Sequence, residues 1–576
     1  VRRIARREAP AGFDPAAFPG LHPLLARALA ARGLQGSAQI DHSLGSLLPP
    51  DTFKDLDRAV AVLADAVQRG APILVIGDYD ADGATSTALC VEAITAMGGR
   101  ADFLVPDRFR YGYGLSPEIV EVAVQREPAV ILTVDNGISS LAGVARARDL
   151  GMRVVVTDHH LPGAQLPVAD AIVNPNQPGC AFPGKSIAGV GVAFYVMSAL
   201  RSALRAQGWF DDERPAPNLA DLLDLVALGT VADVVPLDAN NRILVEQGLR
   251  RIRAGRVRPG LAALIGIAQR NPARLVASDL GYAVGPRLNA AGRLDDMAQG
   301  IRCLLAGDTH TATQLAAELD ALNRDRRSIE GDMQQAAEAA LAKLALDEGT
   351  LPDGICLFDD AWHPGVVGIL ASRIKERCHR PVIAFAPAAP GSDELRGSAR
   401  SIEGVHVRDV LDAVAAHHPD LLTRFGGHAM AAGLTLARAN LPAFAQAFDA
   451  EVMRVLPDSA RSPVVWSDGE LPAADLDLPL AEALRRHGPW GQSFPEPLFD
   501  GEFEVLEQRL LSGRHLKMVL AAPVPGGRVI DAIAFNVVPA FAGGVPSRVR
   551  LAYRLDVNEF RGRRSAQLVV ECIEAG

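Results

Sequence analysis

Four short apolar runs, at residues 73–76, 103–105, 130–134 and 154–157, alternate with amphipathic stretches such as 84–97 and 117–125. The runs are rich in β-branched residues and nearly free of polar ones, as strands covered on both faces are. The stretches between them carry helical spacing. A chain that repeats this unit folds as a parallel sheet with crossover helices. Three of the runs end in polar clusters: Asp78-Tyr79-Asp80-Ala81-Asp82-Gly83, Asp135-Asn136-Gly137 and Asp158-His159-His160. Ligands of open α/β sheets bind beyond the carboxyl ends of the strands, so the three clusters point to one cleft.

A helical pattern follows at 311–344, with Leu315, Leu319, Leu322, Ile329, Met333, Leu341 and Leu344 on a narrow stripe. It reads as one helix bridging two domains, or as a helix pair broken near Gly331. Strand–helix alternation resumes at 355–358, 366–378 and 382–385, and residues 456–474 have linker composition. Five further β-rich runs, 503–509, 517–521, 529–536, 548–557 and 565–572, suggest a small barrel.

The expected fold is therefore α/β: two α/β domains flanking a cleft and joined by a long helix, followed by a C-terminal OB-like β-barrel. The division is an N-terminal segment packing on the core (1–49), a catalytic domain (50–310), a connecting helix (311–349), a second α/β domain (350–455) and the barrel domain (456–576).

Charge sharpens the last assignment. The whole chain is acidic, with 58 Lys and Arg against 68 Asp and Glu, which argues against a surface that coats nucleic acid. Between Arg509 and Gly576, however, ten basic residues face five acidic ones. Arg514, Lys517, Arg561, Arg563 and Arg564 are candidate DNA contacts of the barrel, the last three in a hairpin turn. Phe535 and Tyr553 either stack bases or fill the barrel. The six cysteines form no C-x-x-C pair and suit a reducing compartment. No run of 18 uncharged apolar residues is present, and the basic start lacks the apolar stretch of a signal peptide. A cytoplasmic, monomeric protein with no membrane association is expected.

Asp78, Asp80 and Asp82 alternate along an extended path, so side chains crowd on one side and repel unless a cation neutralises them. Asp135, Asp158, His159 and His160 end the neighbouring runs, and Asp233 follows an apolar helical stretch at 222–228. Carboxylates with imidazoles and no thiolates suit Mn²⁺ or Mg²⁺. Two such ions about 3.5–4 Å apart activate water and stabilise a leaving oxygen in phosphoryl transfer. Gly365-Val366-Val367-Gly368 and Gly426-Gly427-His428 lack the Lys-Ser/Thr of a phosphate-binding loop, and Ser186 and Ser401 have no triad partners. From the residues alone, the chain is a metal-dependent phosphoesterase acting on nucleic acid.

These segments, with Gly229-Thr230-Val231-Ala232-Asp233-Val234-Val235-Pro236-Leu237, resemble the DHH phosphoesterase superfamily, and within it the bacterial RecJ-type single-stranded-DNA exonucleases. The likeness extends through 285–294 (G-P-R-L-N-A-A-G-R-L), 362–369 (W-H-P-G-V-V-G-I) and 424–428 (R-F-G-G-H), the last being the signature of a DHHA1-type substrate-binding domain. It covers roughly residues 50 to 455, and the barrel is also a feature of that family.

The resemblance implies two divalent cations, Mn²⁺ or Mg²⁺. Asp82, Asp135, His159 and Asp233 would hold one, with Asp135 bridging to a second held by Asp80. Asp78 would be a ligand of that ion or a support for one. Pyrophosphatase relatives carry histidine where this chain has Ile76. His160 would contact the scissile phosphate or assist proton transfer, and Asp158 would orient a histidine.

Arg287, Asn289, Arg293, Ser372, Arg373, Gly426, Gly427 and His428 are candidate substrate contacts. The segment 108–114, with Arg108, Arg110 and Tyr113, is either a lip for a single strand or a packed connector. The implied activity is 5′→3′ hydrolysis of single-stranded DNA in DNA repair and recombination. The implied partners are a single-stranded-DNA-binding protein and a RecQ-like helicase. A phosphodiesterase for cyclic dinucleotides would not need the basic barrel, and a decayed scaffold would have lost ligands.

Overall fold

The computed structural model describes residues 3–8, 11–106, 114–348, 351–457, 464–523, 527–536, 544–560 and 562–575. Arg108, Arg110, Tyr113 and Arg561 lie outside them. The chain divides into two units, one of residues 6–323 and 467–576 and a smaller one of residues 1–5 and 324–466.

In the larger unit, β2 (Pro72–Gly77), β3 (Arg100–Leu104), β4 (Val130–Val134), β5 (Arg153–Thr157) and β6 (Ala171–Val173) form a sheet in the order β3-β2-β4-β5-β6. Every pairing is parallel. Strand order reverses at β2, which puts the topological switch point between β2 and β4. Their uninterrupted apolar sequences follow from burial on both faces: β4 is buried at every position, and β2 at all but Pro72.

Helices α1 (Pro23–Ala30), α2 (Leu56–Arg69), α3 (Ala81–Ala96), α4 (Pro117–Val124), α5 (Leu141–Asp149), α6 (Gly189–Ala206), α7 (Leu223–Ala232) and α8 (Ala239–Arg253) follow the chain around this sheet. Helices α9 to α12 (Pro259–Ile267, Ala277–Asp279, Gly285–Leu294 and Ala298–Leu304) complete the α-rich part. Helix α3 is built of small residues because it is enclosed. A Cβ on Gly83 would lie 2.6 Å from the Asp78 carbonyl oxygen, and one on Gly77 would lie 2.1 Å from Thr87 Oγ1.

Helix α13 (Thr309–Glu348) runs unbroken through Gly331, so the one-helix reading holds and the broken pair does not. Its residues up to Asn323 belong to the larger unit and the rest to the smaller.

The smaller unit holds the mixed sheet β10-β11-β9-β8-β7, made of β7 (Ile355–Phe358), β8 (Val382–Pro387), β9 (Glu394–Arg400), β10 (Arg424–Gly427) and β11 (Ala431–Ala437). Helices α14 (Val367–Cys378), α15 (Val407–His417) and α16 (Leu441–Val455) accompany it, and Phe385, Phe444 and Phe448 are central to its core. Within the expected linker, β12 (Val464–Ser467) pairs with the N-terminal β1 (Arg3–Arg6).

After α17 (Leu478–Arg486), strands β13 (Phe499–Leu511), β14 (His515–Ala521), β15 (Val529–Ala534), β16 (Arg548–Phe560) and β17 (Arg563–Ala575) close in the order β13-β14-β15-β17-β16. Tyr553 is fully buried and fills this ring, whereas Phe535 is half exposed beside His515. The ring shares one continuous apolar core with the parallel-sheet region.

Candidate metal centre

Strand register brings the acids together. Gly77 pairs with Val134, Val134 with Thr157, and Thr157 with Val173. The next residue of each strand is therefore Asp78, Asp135, Asp158 or Asn174, side by side at the carboxyl edge. Asp135 adopts φ 61, in the left-handed region that Asp tolerates better than most side chains. The adjacent Asn136 donates its side-chain N–H to the carbonyls of Ile76 and Val134 at 3.0 and 2.9 Å, which ties the ends of β2 and β4 to each other.

Asp80 caps α3: its Oδ1 accepts the N–H groups of Asp82 and Gly83, both at 3.0 Å. Asp82, in the first turn of α3, is buried and accepts N–H groups from Gly189 at 2.7 Å and Val190 at 2.9 Å, the first residues of α6. Asp233 follows the last turn of α7. That turn sits close to α3 because position 229 is glycine: a Cβ there would lie 2.2 Å from Thr85 Oγ1 and 2.9 Å from Asp82 Oδ1.

His159 Nε2 lies 3.1 Å from Asp135, 3.5 Å from Asp233 and 3.9 Å from Asp82. Its backbone carbonyl accepts from Asn176 at 2.6 Å, and that of His160 from Asn174 at 2.9 Å. Asp158 accepts N–H groups from Ile138, His159 and His160, and its Oδ1 lies 2.7 Å from His160 Nδ1.

Three sets of donor atoms lie within 4.8 Å of one another: Asp82, His159 and Asp233; Asp78, Asp80 and Asp135; and Asp135, His159 and His160. The first two are separate triads, and Asp135 belongs to the second and third.

The electrostatics follow from crowding. Burial, and then the Asp80 carboxylate, push Asp82 up to about 7. Burial, and then Asp82, push Asp135 and Asp233 well above the usual carboxylate range. Burial also acts to raise Asp158, but its hydrogen bond and attraction to His160 win and hold it below that range. Burial acts to lower His160, yet Asp158 outweighs it and raises the imidazole to about 9. Oxygen and imidazole donors in overlapping sets, with carboxylates pushed toward protonation by one another, have the chemistry of a site for hard divalent cations.

The other residues singled out in the sequence are distributed as follows. Asn289 accepts the N–H of Ala81 at 2.8 Å and so braces the acidic loop. Arg287 is buried, donates to Asp320 at 2.9 Å and contacts the Ala283 carbonyl. Arg293 is half-buried at the end of α11. Ser372 bonds the Gly368 carbonyl at 3.2 Å, and Arg373 pairs with Glu330 at 3.0 Å. Gly426 and Gly427 lie on β10, with the His428 N–H bonded to Ala431 at 2.8 Å. These last five belong to the smaller unit. Lys517 pairs with Asp531 at 3.3 Å, and Arg514 and Arg563 are exposed.

Sequence reasoning missed the amides of Gly189 and Val190, the close approach at Gly229, and the supports Asn174 and Asn176. The signal for the first was Gly189-Val190-Gly191 at the head of an apolar helical run, where free N–H groups face a buried anion.

Residues 72–230 match the DHH family, N-terminal domain; residues 352–454 match the DHHA1 domain; and residues 467–572 match the RecJ OB domain. The chain is 54% identical over 576 residues, 99% of each chain, to the single-stranded-DNA-specific exonuclease RecJ of Salmonella typhimurium, and equally to that of Escherichia coli. It is also similar to the crystal structure of RecJ in complex with Mn²⁺ from Thermus thermophilus. That match has a TM-score of 0.77 at 33% identity, covering 96% of this chain and 76% of that one. A related structure contains Mg²⁺. Full-length identity at this level, three matching domains in order and a carboxylate–imidazole cluster at the sheet's switch point lead to one conclusion: the chain belongs to the RecJ family of single-stranded-DNA-specific exonucleases.

Proposed function

We propose that this chain hydrolyses single-stranded DNA from the 5′ end, using two divalent cations, Mn²⁺ or Mg²⁺. The observation that carries the reading is the pair of donor triads at the carboxyl edge of the parallel sheet, with Asp135 3.1 Å from His159. Asp82, His159 and Asp233 would hold one ion, Asp78 and Asp80 the other, and Asp135 would serve both. When bound, the pair neutralises phosphate charge and makes water nucleophilic at neutral pH.

The chain's own groups do the positioning. The α6 amides fix Asp82. The Asp158 carboxylate holds His160 through Nδ1 and so would fix the ring against substrate. His160 would contact the scissile phosphate or deliver a proton to the departing 3′ oxygen. Arg293, and the smaller unit's Ser372, Arg373, Gly426, Gly427 and His428, are proposed substrate contacts, as are Arg514 and Arg563 on the ring. We assign Arg287 to the same role through its position on α11, with Asp320 holding its fork. The domain division at 50, 311, 350 and 456 is retained as part of this reading.

The chain is assigned to the cytoplasm, to DNA repair and recombination, and to partnership with a single-stranded-DNA-binding protein and a RecQ-like helicase. Among the described residues no helix is long and apolar enough to cross a membrane.

The test uses Mn²⁺ and single strands labelled at one end or the other. Immediate mononucleotide release from the 5′ label, progressive shortening from the 3′ label, and loss of both with Asp82→Ala are expected. Survival of long strands alongside cleavage of cyclic dinucleotides would replace this reading with a small-substrate one.

A further inference from the structure

A cavity of about 670 Å³ lies where residues 253–279 of the α-rich part meet α17 and the ends of β16 and β17. Six arginines line it: Arg253, Arg270 and Arg274 on one wall, and Arg485, Arg486 and Arg564 on the other. Among the described residues three carboxylates share the lining, and each already has an arginine. Asp279 pairs with Arg270 at 3.1 Å, Glu559 with Arg274, and Glu482 with Arg564.

The surplus is therefore carried by the other three. Arg253 is engaged with the Leu275 carbonyl at 2.8 Å and with Glu246 at 3.3 Å. Arg485 is only loosely balanced, 3.7 Å from Asp556 and 4.0 Å from Asp279. Its side chain is about one-third exposed and lines the cavity. Arg486 is exposed and makes no ion pair with a described residue.

The lining also offers the amides of Gln269 and Asn271. Guanidinium forks and amides suit phosphate oxygens.

We propose that this seam binds a run of phosphate groups, as a second anchoring point for the single strand away from the reacting end. Free polyphosphate offers the same chemistry from another source. The proposal rests on the exonuclease reading, from which the seam is otherwise separate.

The test is equilibrium binding of fluorescent single-stranded DNA to the full chain in chelator, across a salt series. Each phosphate that a variant no longer neutralises takes about 0.7 off the slope of log affinity against log salt. The Arg485→Gln/Arg486→Gln variant should lose about 1.4, Arg486→Gln alone about 0.7, and Arg205→Gln on the far exposed end of α6 nothing. Arg486, exposed and without an ion pair among the described residues, keeps the test interpretable if the double variant folds poorly. In a parallel arm, tripolyphosphate should raise the melting temperature of the wild type more than that of Arg486→Gln.

A changed slope identifies DNA as the ligand, and a changed tripolyphosphate shift with an unchanged slope identifies free polyphosphate. If neither differs from wild type, the proposal fails. Hydrolysis of end-labelled DNA by the wild type in Mn²⁺ separates that failure from a failure of the exonuclease reading.

Discussion

Two groups of aspartates, all buried but the partly exposed Asp233, sit in the larger unit, and their surroundings are opposite. Asp468 and Asp500 are wrapped in arginine. Asp468 takes Arg32 at 2.9 Å and Arg7 at 3.3 Å; Asp500 takes Arg6 at 2.9 Å, Arg550 at 3.0 Å and the Ser467 hydroxyl at 2.6 Å. Asp82, Asp135 and Asp233 are instead packed among other carboxylates and two imidazoles. Burial raises the pKa in both places. At Asp500 the hydrogen bonds from Arg6, Ser467 and Arg550 reverse it, whereas at Asp82 and Asp135 the neighbouring carboxylates add to it. A buried anion matched by built-in cations stabilises the fold. One crowded by like charges lowers stability, and that cost makes sense where a diffusible cation is to bind.

Four measurements break or sharpen this contrast. The largest effect is expected from Asp135→Asn, with cleavage of end-labelled DNA falling on the order of 10³-fold, the equivalent of several kcal/mol of lost cation assistance. In chelator the same substitution should raise the melting temperature, because it removes one of the crowded charges. Asp500→Asn should do the reverse. It weakens the hydrogen bonds that the partly exposed Arg6 and Arg550 make to a buried carboxylate and costs about 2 kcal/mol in denaturant unfolding, with little change in the activity of the folded fraction. If both substitutions destabilise equally in chelator, the two groups are not different in kind.

Asp158→Asn comes next. Loss of the 2.7 Å contact to His160 should lower turnover roughly 10- to 100-fold and shift the pH–rate profile, while unfolding changes less than for Asp500→Asn.

The smallest effect is a difference in pH dependence, read from denaturation midpoints in chelator. Asp82 is raised to about 7, so the native state keeps a proton that the unfolded chain loses. Its contribution to stability falls as pH rises from about 4 and levels off above 7. Asp500 is held below 3.8, so its contribution is complete above that value and is lost as pH falls through its folded pKa. Asp82→Asn should flatten the first arm, and Asp500→Asn the second.

Much of the metal centre was legible because it is local. Each acid ends an apolar run, and parallel register then aligns the run ends without further information from the side chains. The strands of the C-terminal ring were legible for the same reason. What escaped is long-range. The amides that hold Asp82 come from 107 and 108 residues away. Nothing in R-I-A-R at the N-terminus signals a partner at Asp500. The Arg287 motif is plain in the sequence, but its bond to Asp320, 33 residues on, is not. The choice for Phe535 and Tyr553 between stacking and filling turned on strand alternation near bulges, which composition does not encode.

The clasp between Arg6 and Asp500 spans 494 residues, and the larger unit is itself assembled from residues 6–323 and 467–576. At ribosomal speeds of about 5–20 residues per second, Arg6 emerges roughly 25 to 100 s before its partner. During synthesis the α/β part must therefore persist with the apolar side chains it shares with the C-terminal ring uncovered. A ribosome that stalls anywhere in the smaller unit leaves that apolar face open to chaperones and proteases.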